Sequence, residues 1–343
     1  MGLYVQSGYV QVTMVDWGST TSIDSSAVSL QKANILSAIQ TQLQPTAIAY
    51  DPDNGMIYVS TSNGSKGTID VISASNNSVV TSIQFPERNP SVMVFDDNYS
   101  NLYAYDSSGG DHIYVINTGT NEITSNISTG AKGTIGGAAF DPVNKDLYIA
   151  GGTTNSLIVI STATGKVLQT VGIQGNPTFV TYSPSNGYIY VETAESNQSS
   201  TITIISPLAL IPAVSNTIVS TIRLPASGVG ICYVPLTGGV YALTNYPAAI
   251  SEISSQTGKP SSSVFLSSSV SLGAASGVVY DQLNKILIIT TGNDSVIEFS
   301  PLLNSVRVGL ELPPLSGAVA INTANGNIYA PSHSLSEVLE FSP

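Results

Sequence analysis

The sequence predicts an all-β fold: a seven-bladed β-propeller of four-stranded antiparallel blades, the last blade closed by an N-terminal strand. Three observations carry this expectation. One strand-turn-strand motif recurs seven times along 343 residues. Each copy has room for four strands, the size of a propeller blade. The last copy runs out of chain one strand short, while an unmatched strand precedes the first copy.

The motif is read from the aromatic residue before its turn. The copies are YDPDNGMIY from Tyr50, FDDNYSNLY from Phe95, FDPVNKDLY from Phe140 and YSPSNGYIY from Tyr182. YVPLTGGVY from Tyr233, YDQLNKILI from Tyr280 and INTANGNIY from Ile321 complete the set, 41 to 51 residues apart. The turns fall near 51–55, 96–101, 141–146, 183–188, 234–239, 281–286 and 322–327. Asp suits the first position of a type I turn, Pro fixes φ at the second, and Asn or Gly accepts the left-handed exit. An apolar strand leads into each turn and a strand ending in Tyr leaves it. A third strand follows, in which apolar and polar residues alternate (TIDVIS, Thr68–Ser73; HIYVIN, His112–Asn117), and then a fourth (SVVTSIQ, Ser78–Gln84; KVLQTVGI, Lys166–Ile173). No segment has a long apolar period of 3.6 residues, so helix content should be very small.

A lone twisted sheet of four strands cannot bury both faces; blades packed around an axis can. After Tyr329 only one further strand fits, EVLEFS (Glu337–Ser342). NILSAIQTQLQP (Asn34–Pro45) matches the register of a fourth strand, so it should complete the seventh blade and close the ring. Residues 34–343 then form the propeller. Residues 1–33 stand outside the repeats as an N-terminal arm or edge strand. YVQVTMVDW (Tyr9–Trp17) alternates like a strand and suits an outer edge, a tether, or docking on a neighbour. The recurring tyrosines Tyr58, Tyr103, Tyr148, Tyr190, Tyr241 and Tyr329 should pack between blades.

Composition narrows the function classes. Charged residues are only 9% of the chain, and 22 acidic against 10 basic residues leave a net charge of −12. Nucleic-acid binding needs Lys and Arg to neutralise phosphates; single, scattered basic residues make no such stripe. An anionic membrane surface is disfavoured on the same ground. No apolar run reaches the 18 or so residues that span a bilayer. One cysteine, Cys232, excludes an internal disulfide and reads as a buried, inert thiol.

Catalytic patterns are nearly absent. With only His112 and His333 there is no HExxH motif and no His-rich metal cluster. There is no GxSxG elbow and no phosphate-binding glycine loop. DPDNG (Asp51–Gly55) lacks the later bidentate Glu of a calcium loop and reads as a β-turn. No metal or cofactor is expected. Ligand sites should lie on loops between second and third strands and on blade connections, because loops vary while strands hold the frame. Asp106, Asp111, His112, Glu195, Asp294 and His333 are the polar groups in those loops that we single out as binding candidates. Asn63, Asn76, Asn98, Asn126, Asn197 and Asn293 head Asn-x-Ser sequons, no more than composition gives by chance, and are candidates for glycosylation if the chain is exported.

IYVSTSNGSKGTIDVISASNNSVVTSIQ (Ile57–Gln84) and LYIAGGTTNSLIVISTATGKVLQTVGIQGNP (Leu147–Pro177) resemble the Tyr-Val-Thr-Asn (YVTN) repeat propellers of surface-layer and secreted proteins, especially of archaea. The resemblance covers about residues 35–343 and is strongest in blades 1, 3 and 4. The Pro207–Pro212 insertion and Ile288 in place of the repeat Tyr depart from it. It implies a seven-bladed propeller on a cell exterior and no single ligand. The expected function is therefore non-enzymatic: an extracellular or cell-surface propeller for binding, adhesion or surface-layer structure, with a protein or glycan partner. A virion attachment or projection protein is one alternative. A lactonase-like or lyase-like hydrolytic enzyme is another, although apolar, Gly-rich inner strands (TIGGAAF, GVGICYV) disfavour a metal cage. Sparse ionic pairing further predicts tolerance of acid well below pH 4.

Overall fold

The computed structural model describes residues 9–15, 24–88, 90–96, 98, 100–106, 110–130, 135–194, 199–208, 215–224, 226–246, 248–266, 277–291 and 295–343. Seven four-stranded antiparallel blades stand in a ring. Blade 1 runs Gln44–Asp51, Met56–Ser62, Gly67–Ser73 and Ser78–Phe85, and blade 2 runs Pro90–Phe95, Asn101–Asp106, His112–Asn117 and Glu122–Ser128. Blade 3 (Ile135–Asp141 to Lys166–Gly172), blade 4 (Asn176–Ser183 to Thr217–Arg223), blade 5 (Ser227–Val234 to Lys259–Phe265) and blade 6 (Val278–Asp281 to Ser305–Glu311) repeat the order. The first strands of successive blades touch one another around the axis. The one helical turn among the described residues is a 3-10 turn at Gly152–Thr154.

Blade 7 supplies three strands, Ala320–Ile321, Ile328–Ser332 and Glu337–Ser342; its fourth is Asn34–Gln40. That strand pairs antiparallel with Glu337–Ser342, from Asn34 opposite Ser342 to Gln40 opposite Glu337. Gln40 also hydrogen-bonds the Glu337 carboxylate through its side chain. The closure expected from the sequence is thus made by the register its repeat position dictates.

The N-terminal arm forms two strands. Tyr9–Val15 pairs antiparallel with Lys259–Phe265, the outermost strand of blade 5. Asp24–Lys32 pairs with it and runs parallel to Ser305–Glu311, the outermost strand of blade 6. The arm therefore joins blades 5 and 6 into one ten-stranded sheet.

Second and third strands are buried along nearly their whole length, because blades cover both of their faces. The polar positions that alternate along the third strand are buried too. Asp70 is one: it accepts the Ser82 hydroxyl at 2.7 Å. Fourth strands at the rim keep exposed positions.

The turns explain the repeat. Asp51, Asp141 and Asp281 are buried, and each Oδ1 accepts the N–H groups two and three residues on: 2.9 and 3.4 Å for Asp51, 2.9 and 3.4 Å for Asp141, 2.9 and 3.2 Å for Asp281. This side-chain mimic of a turn is why Asp recurs there. The repeat tyrosines lie between blades and reach forward. Tyr58 donates to Asn121 Oδ1 of blade 2 at 2.9 Å, and Tyr148 to Asn216 Oδ1 of blade 4 at 2.7 Å. Tyr329 of blade 7 lies 3.4 Å from Asn77 Oδ1 of blade 1, across the closure. These three asparagines hold positive φ, 54 to 58°, just before fourth strands.

Candidate functional site

Antiparallel succession places all second-to-third-strand loops, and all blade connections, at one end of the ring. There a cavity of about 710 Å³ opens between blades 7, 1 and 2. Its wall includes Gln44 and Thr46 on the first strand of blade 1, Asn63 in the loop between its second and third strands, and Glu87 and Arg88 in the connection to blade 2. Asp106 at the end of the second strand of blade 2 and His333 in the loop of blade 7 complete its polar lining.

Hydrogen bonds within the wall fix its shape. Asp106 is buried, and its Oδ2 accepts the Arg88 backbone N–H at 3.0 Å. Ser62 Oγ donates to the Arg88 carbonyl at 2.7 Å. Asn63 Oδ1 accepts the backbone N–H groups of Ser65 and Lys66, at 3.1 and 2.9 Å, which folds its own loop. Tyr114 donates to Glu87 Oε1 at 3.0 Å, and Tyr105 donates to the Gly110 carbonyl. Burial, reinforced by Asp106, Asp111 and Glu87, pushes the Tyr105 hydroxyl up to about 12. Burial and the hydrogen bond to Glu87 bring Tyr114 to about 12 as well. Both phenols therefore remain donors at neutral pH. The Arg88 guanidinium is exposed and has no carboxylate within ion-pair distance among the described residues, whose one ion pair is Asp111–His112 at 2.6 Å.

Of the six binding candidates, Asp106 and His333 line the cavity. Asp111 and His112 lie just beyond it, paired with each other rather than aimed into it. Glu195 and Asp294 lie outside the described residues. Sequence reasoning missed Gln44, Glu87 and Arg88. The signal was available in the connection PER (Pro86–Arg88), two adjacent opposite charges in a chain where charge is scarce. The sequon residues Asn63, Asn76, Asn98 and Asn126 are exposed, and Asn63 stands on the cavity rim. Asn197 and Asn293 lie outside the described residues.

Two further ionisable groups are buried away from the mouth. Glu192, fully buried on the second strand of blade 4, presses against Gly228 of blade 5, where a Cβ would fall 1.1 Å from its Oε1. Neither carboxyl oxygen reaches hydrogen-bond geometry with a donor. Burial pushes its pKa well above the usual carboxylate range, opposed only in part by the nearby Gly230 N–H. Cys232 is half-buried against blade 6, and burial pushes its thiol up to about 12, so it carries little thiolate. No group of three or more His, Cys, Asp or Glu residues among the described residues is arranged to hold a metal ion. No helix among them is long and apolar enough to cross a membrane.

No protein-family model matches the chain, and no curated protein matches its sequence. A solved structure described as Kuenenia stuttgartiensis hydrazine synthase superposes with a TM-score of 0.72 at 14% identity, covering 89% of this chain and 97% of that one. At that identity the likeness is one of propeller fold.

Proposed function

We propose that this chain is a non-enzymatic binding propeller of an exterior surface, of a cell or a virion, and that it takes its ligand at the mouth between blades 7, 1 and 2. The observation that carries the reading is the polar lining of that cavity. It combines the exposed Arg88, which has no ion-pair partner among the described residues, with Gln44 and with Glu87, whose Oε1 accepts the Tyr114 hydroxyl. Planar polar groups on a fixed frame suit a hydroxylated ligand: amide and carboxylate bind hydroxyls, and a guanidinium binds a carboxylate or sulfate in bidentate fashion. An acidic glycan has both features. The surface setting is supported by the low ionic content and by the resemblance to surface-layer repeat propellers.

The test is a glycan array probed with the wild-type chain and with Arg88→Ala. Binding to acidic glycans that falls about tenfold or more in the variant is the expected result, given what a charge-assisted hydrogen bond contributes. Wild-type chain that binds no glycan, or binding indifferent to Arg88, would refute the assignment of the mouth.

A further inference from the structure

The face opposite the mouth is built from turns between first and second strands and between third and fourth strands. Its chemistry is divided. At blades 1 and 2 it presents exposed acids, Asp53 in a first turn and Glu122 at the start of a fourth strand. At blades 3, 5 and 6 the same classes of turn carry exposed lysines: Lys145 and Lys285 in first turns, Lys166 and Lys259 at the start of fourth strands. None of these lysines has an ion-pair partner among the described residues. Aliphatic side chains stand among them, with Val143 73%, Leu302 71% and Leu303 70% exposed, and Leu208 and Leu283 more than half exposed. Scattered apolar exposure is ordinary; large aliphatics gathered at the turn tips of blades 3, 4 and 6 mark a contact surface.

We propose that this turn face is the interface of a two-fold dimer with a second copy of this chain. An anionic bilayer would attract the lysines and the aliphatic tips, yet it would repel Asp53 and Glu122 in the same plane. A second copy satisfies both halves. A two-fold axis lying in the face, through blade 7 and between blades 3 and 4, sets blade 1 on blade 6, blade 2 on blade 5 and blade 3 on blade 4. Asp53 then faces Lys285 of the second copy, both in first turns, and Glu122 faces its Lys259, both at the start of fourth strands. Each contact occurs twice, as two-fold symmetry requires. A stable interface needs about 800 Å² from each partner, roughly one-eighteenth of the 14393 Å² accessible surface of the chain, well within one face.

Sedimentation velocity of the full chain over a concentration series, at low and at half-molar salt, tests this. The expected result is a dimer that loosens at high salt, because screening weakens exposed pairs. Lys259→Glu with Lys285→Glu should raise the dimer dissociation constant about tenfold or more, four contacts being reversed at once. Asp53→Lys with Glu122→Lys should do the same, and all four substitutions together should restore association. All four sites are exposed, and circular dichroism would confirm that each variant is folded. A chain monomeric at hundred-micromolar concentration would overturn the proposal, as would a dimer indifferent to both reversals. Binding of a persistent monomer to phosphatidylserine vesicles would overturn it in favour of a lipid surface.

Discussion

The hydroxyl of Tyr148 in blade 3 donates to Oδ1 of Asn216 in blade 4 at 2.7 Å, with both residues buried. Asn216 holds a φ of 54° just before a fourth strand, and its Nδ2 reaches Gln169 Oε1 at 3.2 Å. One residue thus turns the chain and ties two blades. Tyr148→Phe should cost about 1–2 kcal/mol, the penalty of leaving a buried acceptor unpaired. Asn216→Ala should cost about 2–3 kcal/mol, because it adds left-handed backbone strain to the same loss. Urea denaturation of the two variants measures both; equal values near zero would remove the tyrosine column as a device that links blades.

Ring closure by Asn34–Gln40 makes the seventh blade depend on sequence from the far end of the chain. A chain lacking residues 1–40 keeps three strands of blade 7 and bares the Glu337–Ser342 edge, along which Val338, Leu339 and Phe341 are buried. Such an edge is a template for aggregation. The truncated chain should lose cooperative thermal unfolding; an unchanged transition in calorimetry would contradict the closure.

Acid should stabilise this fold rather than dissolve it. Burial holds the carboxyls of Asp51, Asp146, Glu192 and Glu298 above their usual range, with Asp53, Asp141 and Asp281 adding repulsion at Asp51, Asp146 and Glu298 respectively and Arg307 opposing at Glu298. Between the unfolded pKa near 4 and the raised folded values, the native state binds more protons, so stability rises as pH falls through that window and levels below it. One ion pair among the described residues is left for acid to break. The midpoint of thermal unfolding at pH 4 should match or exceed that at pH 7, and folding should persist below pH 4. A cooperative acid transition above pH 4 would refute this account.

Glu192 and Gly228 form a lock between blades 4 and 5. Gly228→Ala should destabilise by about 1–3 kcal/mol through overpacking, and Glu192→Ser should relieve much of that cost in the double variant. Glu192→Gln removes the ionisation, so its stability relative to wild type should improve as pH rises from 4 to 7. Parallel stability curves for the two proteins across that range would show that the Glu192 carboxyl titrates alike in the folded and unfolded chain, and would refute the raised pKa.

Much of this architecture is legible in the sequence because it is local and repeated. The Asp turns at Asp51, Asp141 and Asp281 come from side chains that bond their own backbone. The tyrosine register marks the contact between successive blades in all but blade 6, and the count of seven with one strand missing fixes how the ring closes. Such features rest on neighbours in the chain, so a reader of the chain can see them. The mouth is different. Gln44, Arg88, Asp106 and His333 meet because blades 7, 1 and 2 are adjacent in the ring; their loop positions mark Asp106 and His333 as candidates, but nothing local says that the four share one cavity. The same holds for Glu192, whose burial is set by the absence of a side chain at Gly228 in another blade. Lysines that look scattered along the chain, from Lys145 to Lys285, share one face because every turn of that class ends there. Local turn chemistry and period determined the ring; only its closure in space decided which side chains share a cavity, a blade interface or a face.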